Sequence, residues 1–180
     1  MTSRRIFVFA FIWAAVVIIA VHTADFPGSV PNFRDNSGGG ILLDVKPAFT
    51  PDEIYGRLGG YGEQGRRNYA FRNRTVDILL PLSVLPFFLL LARRSLPAGS
   101  RPFARWMLIA LPSLYVLFDF VENATVLRLL AAYPDRLNAL ANTLPYTTVL
   151  KRTASLLAVV IPLGMLGLQY ARARMAPKLT

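Results

Sequence analysis

Residues 6–21 read IFVFAFIWAAVVIIAV, directly after Arg4 and Arg5. Sixteen successive positions without a charge, rich in Ile, Val and Phe, read as a membrane-crossing helix at the short end of what spans a bilayer core. His22-Thr23-Ala24, which follows, is a poor signal-peptidase site, so the run is expected to stay as an uncleaved anchor. Three similar runs follow, at about residues 76–92, 106–121 and 154–171. Pro81, Pro86, Pro112 and Pro162 fall inside them. Proline is better tolerated in spanning helices than in soluble ones, because neighbouring groups satisfy the carbonyls it leaves free.

The rest of the composition agrees. The chain has 180 residues, 54% of them hydrophobic, which is enough for one helical bundle and too little for a bundle plus a large soluble enzyme. With no cysteine and one histidine, disulfides, thiolate chemistry and histidine-rich metal cages are excluded, and neither metal nor cofactor is expected. The net charge of +10 would point to nucleic acid in a soluble protein. Here the loops account for it. Arg4 and Arg5, then Arg93, Arg94, Arg101 and Arg105, then Arg172, Arg174 and Lys178 fall on one side of the four runs, with no acidic residue among them. Cations concentrate on the cytoplasmic side, so both termini are expected in the cytosol of a plasma (inner) membrane, with 22–75 and 122–150 outside. The partner expected is the lipid bilayer, including anionic headgroups, and not nucleic acid.

The first outer segment divides in two. Residues 23–48, with Gly38-Gly39-Gly40 at the centre, read as a flexible linker. Thr50-Pro51-Asp52-Glu53 then carries a cap, a proline suited to the first helical position and the glutamate of a capping box. This predicts a short helix to Leu58, broken at Gly59-Gly60, within an outer juxtamembrane helical segment over 51–74. Arg66, Arg67, Arg72 and Arg74, with Tyr69 and Phe71, suit a headgroup layer or an anion site.

Ionisable groups gather at one depth. His22 and Asp25 end the first run, Asp77 opens the second, Asp119, Glu122 and Asn123 close the third, and Lys151 and Arg152 open the fourth. Spacings of three and four residues put Asp119, Glu122 and Asn123 on one helix face. Anions at a helix C-terminus and cations at a helix N-terminus are each badly placed alone and compensate when opposed. Pro81 has no N–H for the carbonyl of Asp77, so that oxygen is left for another donor. Charges at such depths pair or serve a function. One outcome is an ionic network that fixes helix packing. The other is a site in which Asp77, Asp119, Glu122 or Lys151 does acid–base work, with Arg66, Tyr69, Asn123 and Arg152 binding substrate. A divalent cation is disfavoured, because Lys151 and Arg152 compete for the same oxygens. Asn73-Arg74-Thr75 and Asn123-Ala124-Thr125 fit the glycosylation pattern by chance, close to the membrane surface.

The stretch from Tyr55 to Tyr69, with its Gly65-Arg66-Arg67-Asn68-Tyr69 core, resembles a family of small bacterial-type four-span integral membrane proteins. So do Asp77 and Pro81, then Phe118-Asp119-Phe120-Val121-Glu122-Asn123, Tyr133-Pro134 and Lys151. The likeness runs over about residues 41 to 152. It implies a membrane fold with no assigned activity, and it groups Arg66, Tyr69, Asp77, Asp119, Glu122, Asn123 and Lys151 as one set.

No Gly-x-Ser-x-Gly elbow, His-Glu-x-x-His or Walker loop occurs. The expected fold is all-α: one membrane domain over residues 1–180, a four-helix transmembrane bundle with a short extracytoplasmic helix in its first outer loop. The first expectation for function is an accessory or lipid-contacting membrane component. The second is a small enzyme acting on a lipid-like substrate at the outer leaflet through an Asp or Glu. A transporter or ion pathway comes last, because the inner halves of the runs carry no charge.

Overall fold

In the computed structural model, residues 2–97 and 99–175 are described. Among them are seven helices and no strand: α1 Thr2–Thr23, α2 Val30–Asn36, α3 Pro51–Gly60, α4 Gly62–Arg74, α5 Val76–Ser95, α6 Pro102–Ala132 and α7 Asn138–Met175. The four apolar runs lie in α1, α5, α6 and α7, and all four helical segments are long and apolar enough to cross a membrane.

The four long helices pack against one another. The contacts are made by small residues and rings. Ala14, Val84, Phe88 and Ala158 form a core in the middle of the bundle, and Phe7 and Phe11 of α1 lie against Phe87 of α5 with centroids 5.7 and 5.5 Å apart. Small residues let helix backbones approach closely where no hydrophobic effect drives them together. Phe9, Trp13, Ile19, Leu79, Trp106, Leu156, Leu163 and Leu168 point outward and are exposed. An apolar belt of this extent suits lipid rather than water. Val76 and Arg93 are seventeen residues apart within α5, which is about 26 Å of helix and close to one hydrocarbon thickness.

α6 and α7 are longer than the apolar runs, with 31 and 38 residues. The predicted outer loop 122–150 is therefore mostly helix, turning only between Ala132 and Asn138. Pro145 does not stop α7. Lys151 thus lies in mid-helix, and Asp119 and Glu122 lie well before the end of α6. The helix-dipole premise of the sequence reading does not hold for them.

The protruding ends of α6 and α7 carry a cap made of α2, α3, α4 and the loops between them. Phe33, Leu42, Leu43, Ile54, Leu58, Tyr61 and Tyr69 pack on Val126, Leu129, Ala141 and Leu144. Residues 23–48, read as a linker, thus contain a helix and supply three of these core side chains. Ser29 caps α2, accepting from the N–H of Asn32. α3 starts as predicted: Thr50 accepts from the N–H of Glu53 at 3.2 Å, and Glu53 reaches back to the N–H of Phe49 at 3.1 Å. α3 continues through Gly59 and Gly60 to Tyr61. Phe33, Tyr61 and Tyr69 stack edge to face or tilted, with centroids 5.1 to 6.0 Å apart. Burial holds the Tyr61 hydroxyl well above the usual phenol range, and this hydroxyl donates to the carbonyl of Ile41 at 2.6 Å. Gly65 is required here: a Cβ would lie 2.8 Å from Ser37 Cβ and 2.9 Å from its Cα, so only glycine lets α4 touch that turn.

Candidate functional site

Where the cap meets the bundle, the polar side chains form one connected network. It begins at the break between α4 and α5. Thr75, with φ −128° and ψ −80°, leaves the helical region, and at this local break Arg72 meets Asp77 at 2.7 Å. Both side chains are buried. The other arm of the Arg72 fork donates to the carbonyl of Gly28 at 2.7 Å. Gly28 has φ +87°, and a Cβ there would sit 2.8 Å from Val76 Cγ2, so the approach needs glycine. Arg72 therefore ties the start of the cap to the first turn of α5.

The next link is the proline effect. Pro81 sits inside α5 and cannot donate to the carbonyl of Asp77. Asn123 of α6 takes its place: its Nδ2 donates to Asp77 O at 2.9 Å and to Asp119 Oδ2 at 3.0 Å. From Asp119 the network crosses to α7 through Lys151, whose Nζ lies 3.2 Å from Asp119 Oδ1 and also contacts Glu122. Thr148, one turn before Lys151, donates to the other oxygen of Glu122.

Asp77, Asp119, Glu122, Asn123 and Lys151 thus come together as expected. Three further expectations are corrected. Tyr69 is 1% exposed and belongs to the aromatic core of the cap, not to a headgroup layer. Arg66 lies elsewhere, stacked 4.2 Å over the ring of Tyr133 with Nη1 donating to Leu58 O at 3.0 Å. Arg152, next to Lys151, points away and donates to the carbonyls of Asp44 and Val45. His22 and Asp25 also lie outside the network, His22 on Ile18 O and Asp25 on Asn32. Asn73 and Asn123 are both buried, so neither presents an acceptor amide for a glycan. Lys178 lies outside the described residues.

Arg72 and Thr148 were missed. Arg72 stood among four similar arginines in sequence, and only the bend at Thr75 singles it out. Thr148 had a weak signal: it precedes Lys151 by three residues and so shares its helix face.

Chemically the network is closed. Asp77 is held by Arg72, and Asp119 and Glu122 by Lys151. Glu122 is 1% exposed. Of five cavities of about 240 to 670 Å³ among the described residues, none is lined by Asp77, Asp119, Glu122 or Lys151, while Asn123 lines the smallest. Among the described residues no cluster of His, Asp and Glu has the geometry to hold a metal ion.

No family model matches the chain, and neither a curated protein nor a solved structure matches it.

Proposed function

We propose that this protein is a non-catalytic, lipid-contacting component of a plasma (inner) membrane, crossing it four times with both termini in the cytosol. The observation that carries the reading is the closure of the network. Each carboxylate in it has a cationic partner, and none of the cavities found among the described residues is lined by one of them. A general acid or base must be within hydrogen-bond reach of its substrate, so these groups serve better to clamp the cap onto the bundle than to turn over a substrate. The likeness to small four-span membrane proteins belongs to the same proposal.

The orientation is supported by where the cations fall. Arg94 stacks 4.4 Å over Phe7, and Gln169 of α7 donates to Ser95 O at 2.6 Å. The start of α1, the end of α5 and the end of α7 are thus at one end of the bundle, the end with no acidic residue. The cap lies at the other end, which the reading places outside.

A cysteine-free chain makes the test direct. Single cysteines at Asp35 in the cap and Ser100 between α5 and α6 are treated with a membrane-impermeant maleimide on intact cells. Asp35→Cys should label, and Ser100→Cys should label only after permeabilisation. The reverse pattern overturns the orientation, and labelling of both on intact cells overturns the four crossings.

A further inference from the structure

We propose that the groove between the α4–α5 helices and α6 is a binding site for one anionic phospholipid, with its phosphate on the α4 arginines and an acyl chain in the trough below. The inference rests on the reading of the chain as a lipid-contacting membrane protein with the cap at the membrane surface.

Two cavities meet at Leu127, which lines both. The upper one, about 410 Å³, has Arg66, Arg67 and Arg74 on its α4 side and Leu130 and Tyr133 on the other. The lower one, about 240 Å³, is walled by Ile78, Phe120 and Ala124, with Asn73 and Asn123 also lining it. A basic mouth thus stands directly above an apolar trough, in the order in which a phospholipid carries its phosphate and its chains.

The charges are available in different degrees. Arg66 is engaged with Leu58 O and the Tyr133 ring. Arg67 pairs with Glu63 at 2.8 Å, but both side chains are more than two-thirds exposed, and such pairs exchange readily for a better partner. Arg74 is exposed, and among the described residues its side chain makes no ion pair or hydrogen bond. Among the described residues Glu63 is the one anion lining the mouth, against three arginines, so the mouth favours a negative ligand. Arg74 also lies at the depth where α5 enters the span, at the level of lipid headgroups. Unpaired arginine on a translocated segment runs against the usual charge bias of membrane proteins, and an anionic headgroup there supplies its partner.

Asn73 is the independent sign of a ligand. It is 2% exposed, it lines the lower cavity, and among the described residues its Nδ2 has no hydrogen-bond partner. Buried donors are rarely left so. An ester carbonyl between phosphate and acyl chain is an acceptor of the right kind at the right level. Ile78 and Phe120 belong to membrane-length helices and are exposed, so the trough opens to the hydrocarbon rather than to water. That favours a lipid over a soluble anion or a peptide.

The test uses the full-length protein purified in a neutral detergent. Phosphatidylglycerol and phosphatidylcholine are offered in equal amounts, and retention is read by native mass spectrometry. Wild type should retain one phosphatidylglycerol in preference. Arg74→Gln, and Arg67→Gln with it, should each lower retention by roughly fivefold, the effect of one headgroup contact. Ala124→Phe should lower it with all arginines intact, by filling the trough. Arg34→Gln and Lys46→Gln, elsewhere on the cap, should leave it unchanged. Equal retention of the two lipids, equal losses in the control variants, or displacement of the lipid by inorganic phosphate with no effect of Ala124→Phe would overturn the site. Alkaline extraction and cysteine labelling of the same variants keep the two claims apart. Correctly inserted protein without lipid preference counts against the groove alone, whereas extractable protein counts against the membrane reading.

Discussion

Asn123 Nδ2 lies 2.9 Å from the main-chain oxygen of Asp77, the acceptor that Pro81 deprives of its helical donor. A proline in α5 is thereby compensated by an amide from α6, and the two helices are fixed in register. Asn123→Leu, similar in size, should leave that oxygen and one oxygen of Asp119 unpaired and cost about 1–3 kcal/mol. In a Pro81→Ala background the helix supplies its own donor, so the cost should shrink. Unfolding in mixed micelles of the two single variants and the double measures the coupling. Equal costs in both backgrounds would mean that the amide and the proline act independently.

Arg72 is buried between Asp77 and the carbonyl of Gly28. Arg72→Met removes the only cation within ion-pair reach of Asp77 among the described residues, and such a loss costs about 3–5 kcal/mol. Arg72→Met with Asp77→Asn no longer buries a lone charge and should recover part of that loss. The yield of monodisperse protein after extraction should rank wild type first, then the double variant, then Arg72→Met.

Gly65 touches the Ser37 turn with no room for a methyl group. Gly65→Ala should force α4 away from that turn at about 1–3 kcal/mol. The four long helices do not share this contact, so the damage stays in the cap. Limited proteolysis should cut between residues 37 and 50 faster than in wild type, while membrane insertion is unchanged. An unaltered digestion pattern would show that the cap tolerates the shift.

Glu53 is held below the usual glutamate range first by the N–H of Phe49 and then by Arg57. A carboxylate with a depressed pKa stabilises the fold above its unfolded value, and that contribution is lost as pH falls through the folded value. The start of α3 should therefore loosen under acid. Hydrogen exchange at residues 52–54 should quicken as pH falls below the usual glutamate range, after correction for the intrinsic pH dependence of exchange, and Glu53→Gln should remove that acid sensitivity.

The membrane-length helices were legible because sixteen or more apolar residues in a row have few other readings. Residues 6–21 alone say as much. The pairing of Asp119 and Glu122 with Lys151 was legible too, but from a premise that failed: the helices do not end there, and burial, not the dipole, brings the charges together. The cap was not legible. Leu42, Leu43 and Phe33 sit among glycines, prolines and polar residues, and their burial depends on surfaces of α6 and α7 about a hundred residues away in sequence. Tyr69 looked like a headgroup anchor for the same reason. Its neighbours Arg67 and Phe71 do face outward, and only helical phase turns Tyr69 inward.

The closed network is tested most directly at Lys151, whose ammonium pairs with two buried carboxylates. Lys151→Met is compared with Lys151→Met in a chain that also carries Asp119→Asn and Glu122→Gln, each scored for membrane-inserted, monodisperse protein. Lys151→Met should lose most of its folded protein, at a cost of about 3–5 kcal/mol, and the triple variant should regain it. Wild-type yield from Lys151→Met, with the two carboxylates still in place, would contradict a network closed by this lysine.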